Sequence, residues 1–273
     1  MFARKVSSLN ETAAEAERYR TEVSRLRAGG FPQLTEKIEA GAGNTGGLFY
    51  GLVGETVESV FDRIASRRAC LEGIPPRLQG IMQPWYGAKR RIEVQVSQVR
   101  RRFIGDTSLR RIQGYVAGLD IAGTDNCLLR AAECCQHCDL HCANVVFDDR
   151  GQEMLIDFGD TGLSFASVDP VTMELSTVFH SQRSRLPADW PTVESFRNWT
   201  DVDQFVRGCS FPGFISACRA WAHAEAGSAD EVVAVAFGYG LRQLKYDDTD
   251  KDLARALVQC CVEHFGNRAP RPA

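Results

Sequence analysis

The stretch from His137 to Asp160 constrains this chain more than any other. It reads His137-Cys138-Asp139-Leu140-His141-Cys142-Ala143-Asn144, then Val145-Val146-Phe147, the turn Asp148-Asp149-Arg150-Gly151, Met154-Leu155-Ile156 and Asp157-Phe158-Gly159-Asp160. Two short apolar runs flanking an Asp/Gly turn predict a β-hairpin. Its closure returns Asp157, at the end of the second strand, to the side of Asn144, at the start of the first. A carboxylate and an amide oxygen meeting there are the hard oxygen donors that magnesium takes, with waters and phosphates filling its other positions. Asp139 shares one compact loop with Asn144 and is left to take or orient a hydroxyl proton.

These residues resemble the catalytic loop and metal-binding segment of the aminoglycoside phosphotransferase and choline-kinase branch of the protein-kinase-like fold. The usual form in that family is His-Gly-Asp-Leu-His-x-x-Asn, so Cys138 stands where a glycine is expected. The resemblance implies Asp139 as catalytic base, His137 as the brace of the loop, Asn144 and Asp157 as magnesium ligands, and ATP as phosphoryl donor to a hydroxyl-bearing acceptor. It also implies an α+β fold of two lobes. Residues 1–54 would form a truncated, β-rich nucleotide lobe, and residues 55–273 a larger, mainly helical lobe.

The N-terminal segment is read within that frame. Phe2-Ala3-Arg4-Lys5-Val6 is strand-like, and Ser8 or Asn10 can cap a helix with Ala13, Ala16, Tyr19, Val23 and Leu26 on one face. The resemblance implies that Lys5 holds the nucleotide phosphates and pairs with Glu15 on this helix, against the plainer reading of a surface lysine beside a solvated, glutamate-rich face. In a complete kinase-like domain two strands and a glycine-rich phosphate loop precede that lysine, whereas four residues precede Lys5 here. Either the loop is missing, or the chain is a fragment, or its start lies too late. Gly41-Ala42-Gly43-Asn44-Thr45-Gly46 fits Gly-x-Gly-x-x-Gly, but it follows the lysine and lies between two strand-like runs, which predicts a hairpin turn. By resemblance the hinge that meets the adenine spans Tyr50 to Val53, with Tyr50 and Leu52 as its contacts.

Composition excludes several classes. With 32 basic and 35 acidic side chains and a formal net charge of -3, nothing drives the chain as a whole toward nucleic acid or an anionic membrane. No apolar run approaches the ~20 residues that span a bilayer. The first residues lack the apolar core of a signal peptide, so a cytosolic setting and reduced thiols are expected of the ten cysteines. Cys134, Cys135, Cys138 and Cys142 do crowd around His137 and His141, and a zinc or iron–sulfur site is the competing reading. These ligands all fall within nine residues and lack a separated second pair, which favours small buried thiols.

From Val57 to about Ile104 the chain reads as helices, broken at Gly73-Ile74-Pro75-Pro76 and near Pro84. Lys89, Arg90, Arg91, Arg100, Arg101 and Arg102 form two basic clusters on one predicted helix. Its apolar stripe of Ile92, Val96 and Val99, with no interleaved aromatics, argues for a solvated face and against a nucleic-acid surface. Gly118 to Asn126 reads as a loop. Asp169-Pro170 predicts a helix start with the aspartate as N-cap. Glu174 is the counterpart, displaced by one residue, of an acidic position that the family has after this dipeptide. The tail resembles kinase-like modules of bacterial multidomain systems, which implies a place in a larger assembly. Two functions follow: a phosphotransferase, or a pseudokinase-like binding module without a phosphate loop.

Overall fold

Ser8 opens the first helix by a reciprocal cap. Its hydroxyl accepts the Glu11 N–H at 3.3 Å, and the Glu11 carboxylate accepts the Ser8 N–H at 3.1 Å. A computed structural model describes residues 2–39, 44–51, 53–55, 57–188 and 190–267. Strand β1 (Phe2–Ser8) leads into helix α1 (Leu9–Thr21), which buries Thr12, Glu15, Ala16 and Tyr19. Strands β2 (Leu34–Ile38) and β3 (Thr45–Gly51) pair antiparallel, and β1 takes the other edge of β3. The antiparallel pair agrees with a hairpin across the glycine-rich stretch, although Gly41 and Gly43 lie outside the described residues. At Gly46 an added Cβ would stand 2.9 Å from Thr12 Oγ1, so glycine lets β3 lie close against α1.

Beyond the sheet the chain is mainly helical, and two sequence expectations need correction. Strand β4 (Glu58–Ser59) pairs with Phe147 and Val146, so helix α2 (Val60–Ala65) starts three residues later than the apolar period from Val57 predicts. Helix α3 (Ile74–Tyr86) carries Pro75 and Pro76 in its first turn, where a missing N–H costs nothing, and Pro84 in its last. The stretch read as one basic helix is instead strand β5 (Arg90–Gln95) followed by helix α4 (Val96–Arg100). Apart from Arg91, its cations are engaged in ion pairs within the chain. Arg90 and Arg102 share Glu133 at 2.8 and 3.5 Å, Arg100 reaches Asp125 and Asp106 at 2.7 Å each, and Lys89 meets Glu225 at 2.8 Å.

The predicted loop at Gly118–Asn126 is likewise ordered. After helix α5 (Asp106–Arg111), helix α6 (Ile121–Asn126) starts where the Asp120 carboxylate accepts the Gly123 N–H at 2.8 Å. Strand β6 (Leu128–Gln136) then pairs with β5 and leads into the loop at Asp139. The hairpin falls where expected, as β7 (Val145–Phe147) and β8 (Glu153–Leu155), and β9 (Gly162–Phe165) returns along β6. The remaining helices are α7 (Val168–Phe179), α8 (Val193–Arg197), α9 (Val202–Phe205), α10 (Pro212–Glu225), α11 (Ala229–Gln243) and α12 (Lys251–Gly266). Trp190, Phe196, Trp199, Phe205, Phe211, Phe214 and Trp221 fill the space between them and are all buried. The architecture is α+β, with a small antiparallel sheet and α1 beside a larger, mainly helical body.

Helix α7 runs through the middle of that body, touching α10 and α11. Glu174 on α7 faces away from the loop at Asp139. Its carboxylate takes the Arg219 guanidinium through Nε at 2.9 Å and Nη2 at 2.5 Å, and accepts Trp199 Nε1–H at 2.8 Å. Glu174 is therefore a structural residue of the helical core. Replacing Glu174 by alanine should cost about 3–5 kcal/mol in urea unfolding, because Arg219 would remain buried without its counter-charge. A loss below about 1 kcal/mol would mean that this pair does not organise the helical body.

Candidate active site

The loop carrying Asp139 is held from behind by a buried carboxylate. Asp169 accepts the backbone N–H of His137 at 2.7 Å and of Cys138 at 2.9 Å. This corrects its expected role, since Ser167 is the N-cap of α7 and Asp169 lies inside the first turn with its side chain turned to the loop. Burial pushes its carboxyl up to about 7 while the two N–H donors pull the other way. A second buried carboxylate, Glu231 of α11, takes the N–H of Ala132 at 2.7 Å, of Ser167 at 3.0 Å and of Gly227 at 2.7 Å. Together they tie β6, the loop and the start of α7 into one block.

Within that block the backbone takes two left-handed turns. Cys138 has φ +67° and Asp157 φ +64°, both in the region that favours glycine. Cys138 occupies the position where the resemblance expects glycine, and the geometry gives the reason for that preference. Its thiol makes long contacts to the carbonyls of Gln136 and Gly162 at 3.6 and 3.7 Å. Burial pushes this thiol up to about 12, as it does those of Cys134 and Cys142, so none is poised as a thiolate. Among the described residues no group of three or more His, Cys, Asp or Glu side chains converges as a metal site.

The hairpin brings Asn144 and Asp157 together as predicted. The Ile156 N–H donates to the Asn144 carbonyl at 3.0 Å, which sets Asp157 one residue beyond it. The Asn144 amide donates Nδ2–H to the Asp139 carbonyl at 2.9 Å. That bond fixes the orientation of the amide and leaves its oxygen as the free acceptor. His137 is fully buried, and its Nε2–H donates to the Ile156 carbonyl at 2.9 Å while its ring packs on Phe158 at 5.2 Å between centroids. Burial lowers its pKa and keeps it neutral, so it braces the loop against the hairpin without reaching the open face.

Two cavities meet at this point. One, of about 250 Å³, is an apolar slot walled by Pro32, Val53, Val57, Val146, Ile156 and Phe158, with Tyr50 and Glu15 at its edge. The other, of about 600 Å³, is richer in polar side chains and lined by Ser7, Asn10, Arg18, Asp139, Asp157 and Asp160. Glu15 and Asp157 line both, so slot and chamber adjoin. Glu15 is the buried glutamate of α1, and it accepts the Tyr50 hydroxyl at 2.8 Å. Tyr50 thus contributes its side chain to the wall, its backbone being part of the sheet. Lys5 stands opposite Leu48 on β1, but its side chain, like Leu52, lies outside the described residues. Arg18 reaches across to the Gly159 carbonyl at 2.5 Å and joins α1 to the segment after Asp157.

The sequence did not point to the far side of Asp139. His141 Nε2 lies 3.6 Å from Asp139 Oδ2 and Arg242 Nη2 lies 4.0 Å from Asp139 Oδ1. The His180 ring packs on that of His141 at 4.4 Å and on Phe61 at 5.1 Å. Arg242 comes from α11, about a hundred residues along the chain, and no local pattern marks it.

Residues 116–197 match the family model of the APH phosphotransferase enzyme family. This segment holds β6, the loop, the hairpin and α7, so the likeness to that family falls on the part of the chain that carries the candidate site. No curated protein matches significantly. Among solved structures the chain is similar to a thermostable mutant of aminoglycoside phosphotransferase APH(4)-Ia in ternary complex with ADP and hygromycin B. Identity there is 12%, coverage 98% of this chain and 88% of that one, and the TM-score 0.43. It is similar as well to choline kinase LicA from Streptococcus pneumoniae (13% identity, 97% and 86% coverage, TM-score 0.43) and to a glucosamine kinase (14% identity, 96% and 68% coverage, TM-score 0.39).

The backbone at position 138 yields a direct check. Cys138→Gly should leave stability within about 1 kcal/mol of the wild type, whereas Cys138→Val, β-branched in a left-handed turn, should cost about 2 kcal/mol or more by chemical denaturation. Equal stability of the two variants would show that the turn does not constrain this residue.

Proposed function

We propose that the chain is an ATP- and magnesium-dependent phosphotransferase that moves the γ-phosphoryl group onto a hydroxyl. The observation that carries this reading is that the apolar slot adjoins the chamber holding Asp139, with Glu15 and Asp157 lining both. A planar base fits between Val53, Val57, Val146, Ile156 and Phe158, and the phosphates then lie toward Asp157. Residues 1–54 form the nucleotide lobe in this reading and residues 55–273 the lobe that carries the loop and hairpin, with Lys5 kept as the phosphate-holding lysine on sequence grounds.

The donor set fits magnesium. Asn144 offers an amide oxygen with no hydrogen bond of its own, and Asp157 a carboxylate, a pair of hard ligands that leaves the other positions to phosphate oxygens and water. When bound there, the ion would neutralise charge on the phosphates. The acceptor oxygen forms the new P–O bond as the bond between the γ-phosphorus and its bridging oxygen to ADP breaks, and Asp139 takes the hydroxyl proton. Asp139 is one-third exposed and faces the chamber, where it can meet an incoming alcohol. Alignment and charge stabilisation supply most of the acceleration in such a site. All ten cysteines are free thiols, which supports a reducing, cytosolic setting, and no described helix is long and apolar enough to cross a membrane.

Asp139→Asn separates this reading from a binding module that has lost transfer. Assayed by ADP release over a panel of hydroxyl acceptors, the variant should lose about 10²–10⁴ in rate, the usual worth of a positioned base, while ATP affinity stays near that of the wild type. Transfer by Asp139→Asn at the wild-type rate would overturn the role of Asp139. ATP binding with no transfer by either protein would favour the binding module.

A further inference from the structure

The side of Asp139 that faces away from the nucleotide slot is furnished with hydrogen-bond donors. Arg242 sits in the last turn of α11 with its side chain 29% exposed. Its Nε–H donates to the Tyr246 hydroxyl at 3.3 Å, and its Nη2 stops 4.0 Å short of Asp139 Oδ1. Neither Nη group makes a hydrogen bond to any described residue. A half-buried guanidinium held beside Asp139, with the outer edge of its fork unused, is set up to receive a planar oxyanion.

The histidines add to this pattern. His141 Nδ1 accepts the Ala143 N–H at 3.2 Å and His180 Nδ1 accepts the Gln182 N–H at 3.2 Å. Both rings therefore carry their proton on Nε2, and His141 turns that N–H toward Asp139. Asp62 is held by Ser59 and by Arg185, and Asp247 and Asp248, which follow Tyr246 in sequence, are exposed and form no ion pair with Arg242. On this side of Asp139 a cationic acceptor would thus meet Arg242 head-on, whereas Asp157 and Asp160 line the chamber on the nucleotide side, where Asp157 is assigned to the metal.

We infer that the acceptor is an anionic hydroxyl compound, a hydroxy acid or a phosphorylated alcohol, whose oxyanion rests on the Arg242 fork while its hydroxyl meets Asp139. The inference rests on the phosphotransferase reading above and adds the charge class of the acceptor. The transfer balances as before, since the oxyanion is only bound: the acceptor O–P bond forms, the bond to ADP breaks and the hydroxyl proton passes to Asp139.

Two matched panels test it: glycerol, glycerol 3-phosphate, glycerate and 3-amino-1,2-propanediol; then glucose, glucose 6-phosphate, gluconate and glucosamine. Binding is read by thermal shift without nucleotide, and transfer by ADP release with magnesium-ATP. Anionic members should bind and be phosphorylated, and the carboxylate and phosphate arms show which oxyanion is preferred. Arg242→Gln should raise KM for that acceptor by roughly 10- to 100-fold with kcat changed far less, and Arg242→Lys should recover part of the loss as a point charge. An ATP-induced shift retained in both variants serves as the folding control. Equal use of neutral or ammonium members, an unchanged KM in Arg242→Gln, or no response to any anionic member in a chain that binds ATP overturns the inference and leaves the phosphotransferase reading standing. Anion binding lost in Arg242→Gln in a chain that never binds ATP does the reverse, removing that reading while keeping Arg242 as an oxyanion site.

Discussion

The arrangement around Asp139 depends on one buried carboxylate taking two backbone N–H groups. Asp169 is fully buried and sits at the start of α7, and its oxygens fix His137 and Cys138 at 2.7 and 2.9 Å. Without it the left-handed turn at Cys138 would have no reason to persist, since that conformation costs a non-glycine residue about 1–2 kcal/mol. The turn aims the next side chain, Asp139, into the chamber. From there the geometry propagates through short links: Asn144 to the Asp139 carbonyl, Ile156 to the Asn144 carbonyl, His137 to the Ile156 carbonyl. Each link is a single hydrogen bond worth little alone, but they share residues and close on one another, so the set is stiff.

Helix α7 connects this frame to the stability of the whole molecule. Its first turn holds the loop through Asp169, and its middle holds α10 through Glu174 and Arg219. A loop anchored to so buried a helix is held firmly to the helical body, which suits the proposed reaction, one that runs on alignment. The side that holds the apolar slot is built differently. There α1 and the three-stranded sheet reach the same site through Arg18 to the Gly159 carbonyl and Tyr50 to Glu15.

What was legible in the sequence follows from how local each cause is. The loop, the hairpin and the meeting of Asn144 with Asp157 are set by turn chemistry and strand pairing within two dozen residues, and they appear as read. The cap at Ser8 is local too. Strand β5 was misread because Ile92, Val96 and Val99 satisfy a helical period while Ile92, Val94 and Val96 satisfy a strand period, and only pairing with β6 decides between them. Asp169 was misread as a cap because Asp-Pro is a good helix start, whereas its partners lie more than thirty residues upstream. Arg242 had no local signature, and folding alone brings it to Asp139.

The central claim is that slot and chamber form one magnesium-dependent nucleotide site, and melting temperature with ATP, with and without magnesium, tests it most directly. A ligand at about 100 times its dissociation constant adds roughly 2.7 kcal/mol, enough to raise the midpoint of a chain this size by several degrees. The account predicts a magnesium-dependent rise that disappears in Asp157→Ala. No rise in the wild type, or an equal rise in Asp157→Ala, would contradict it.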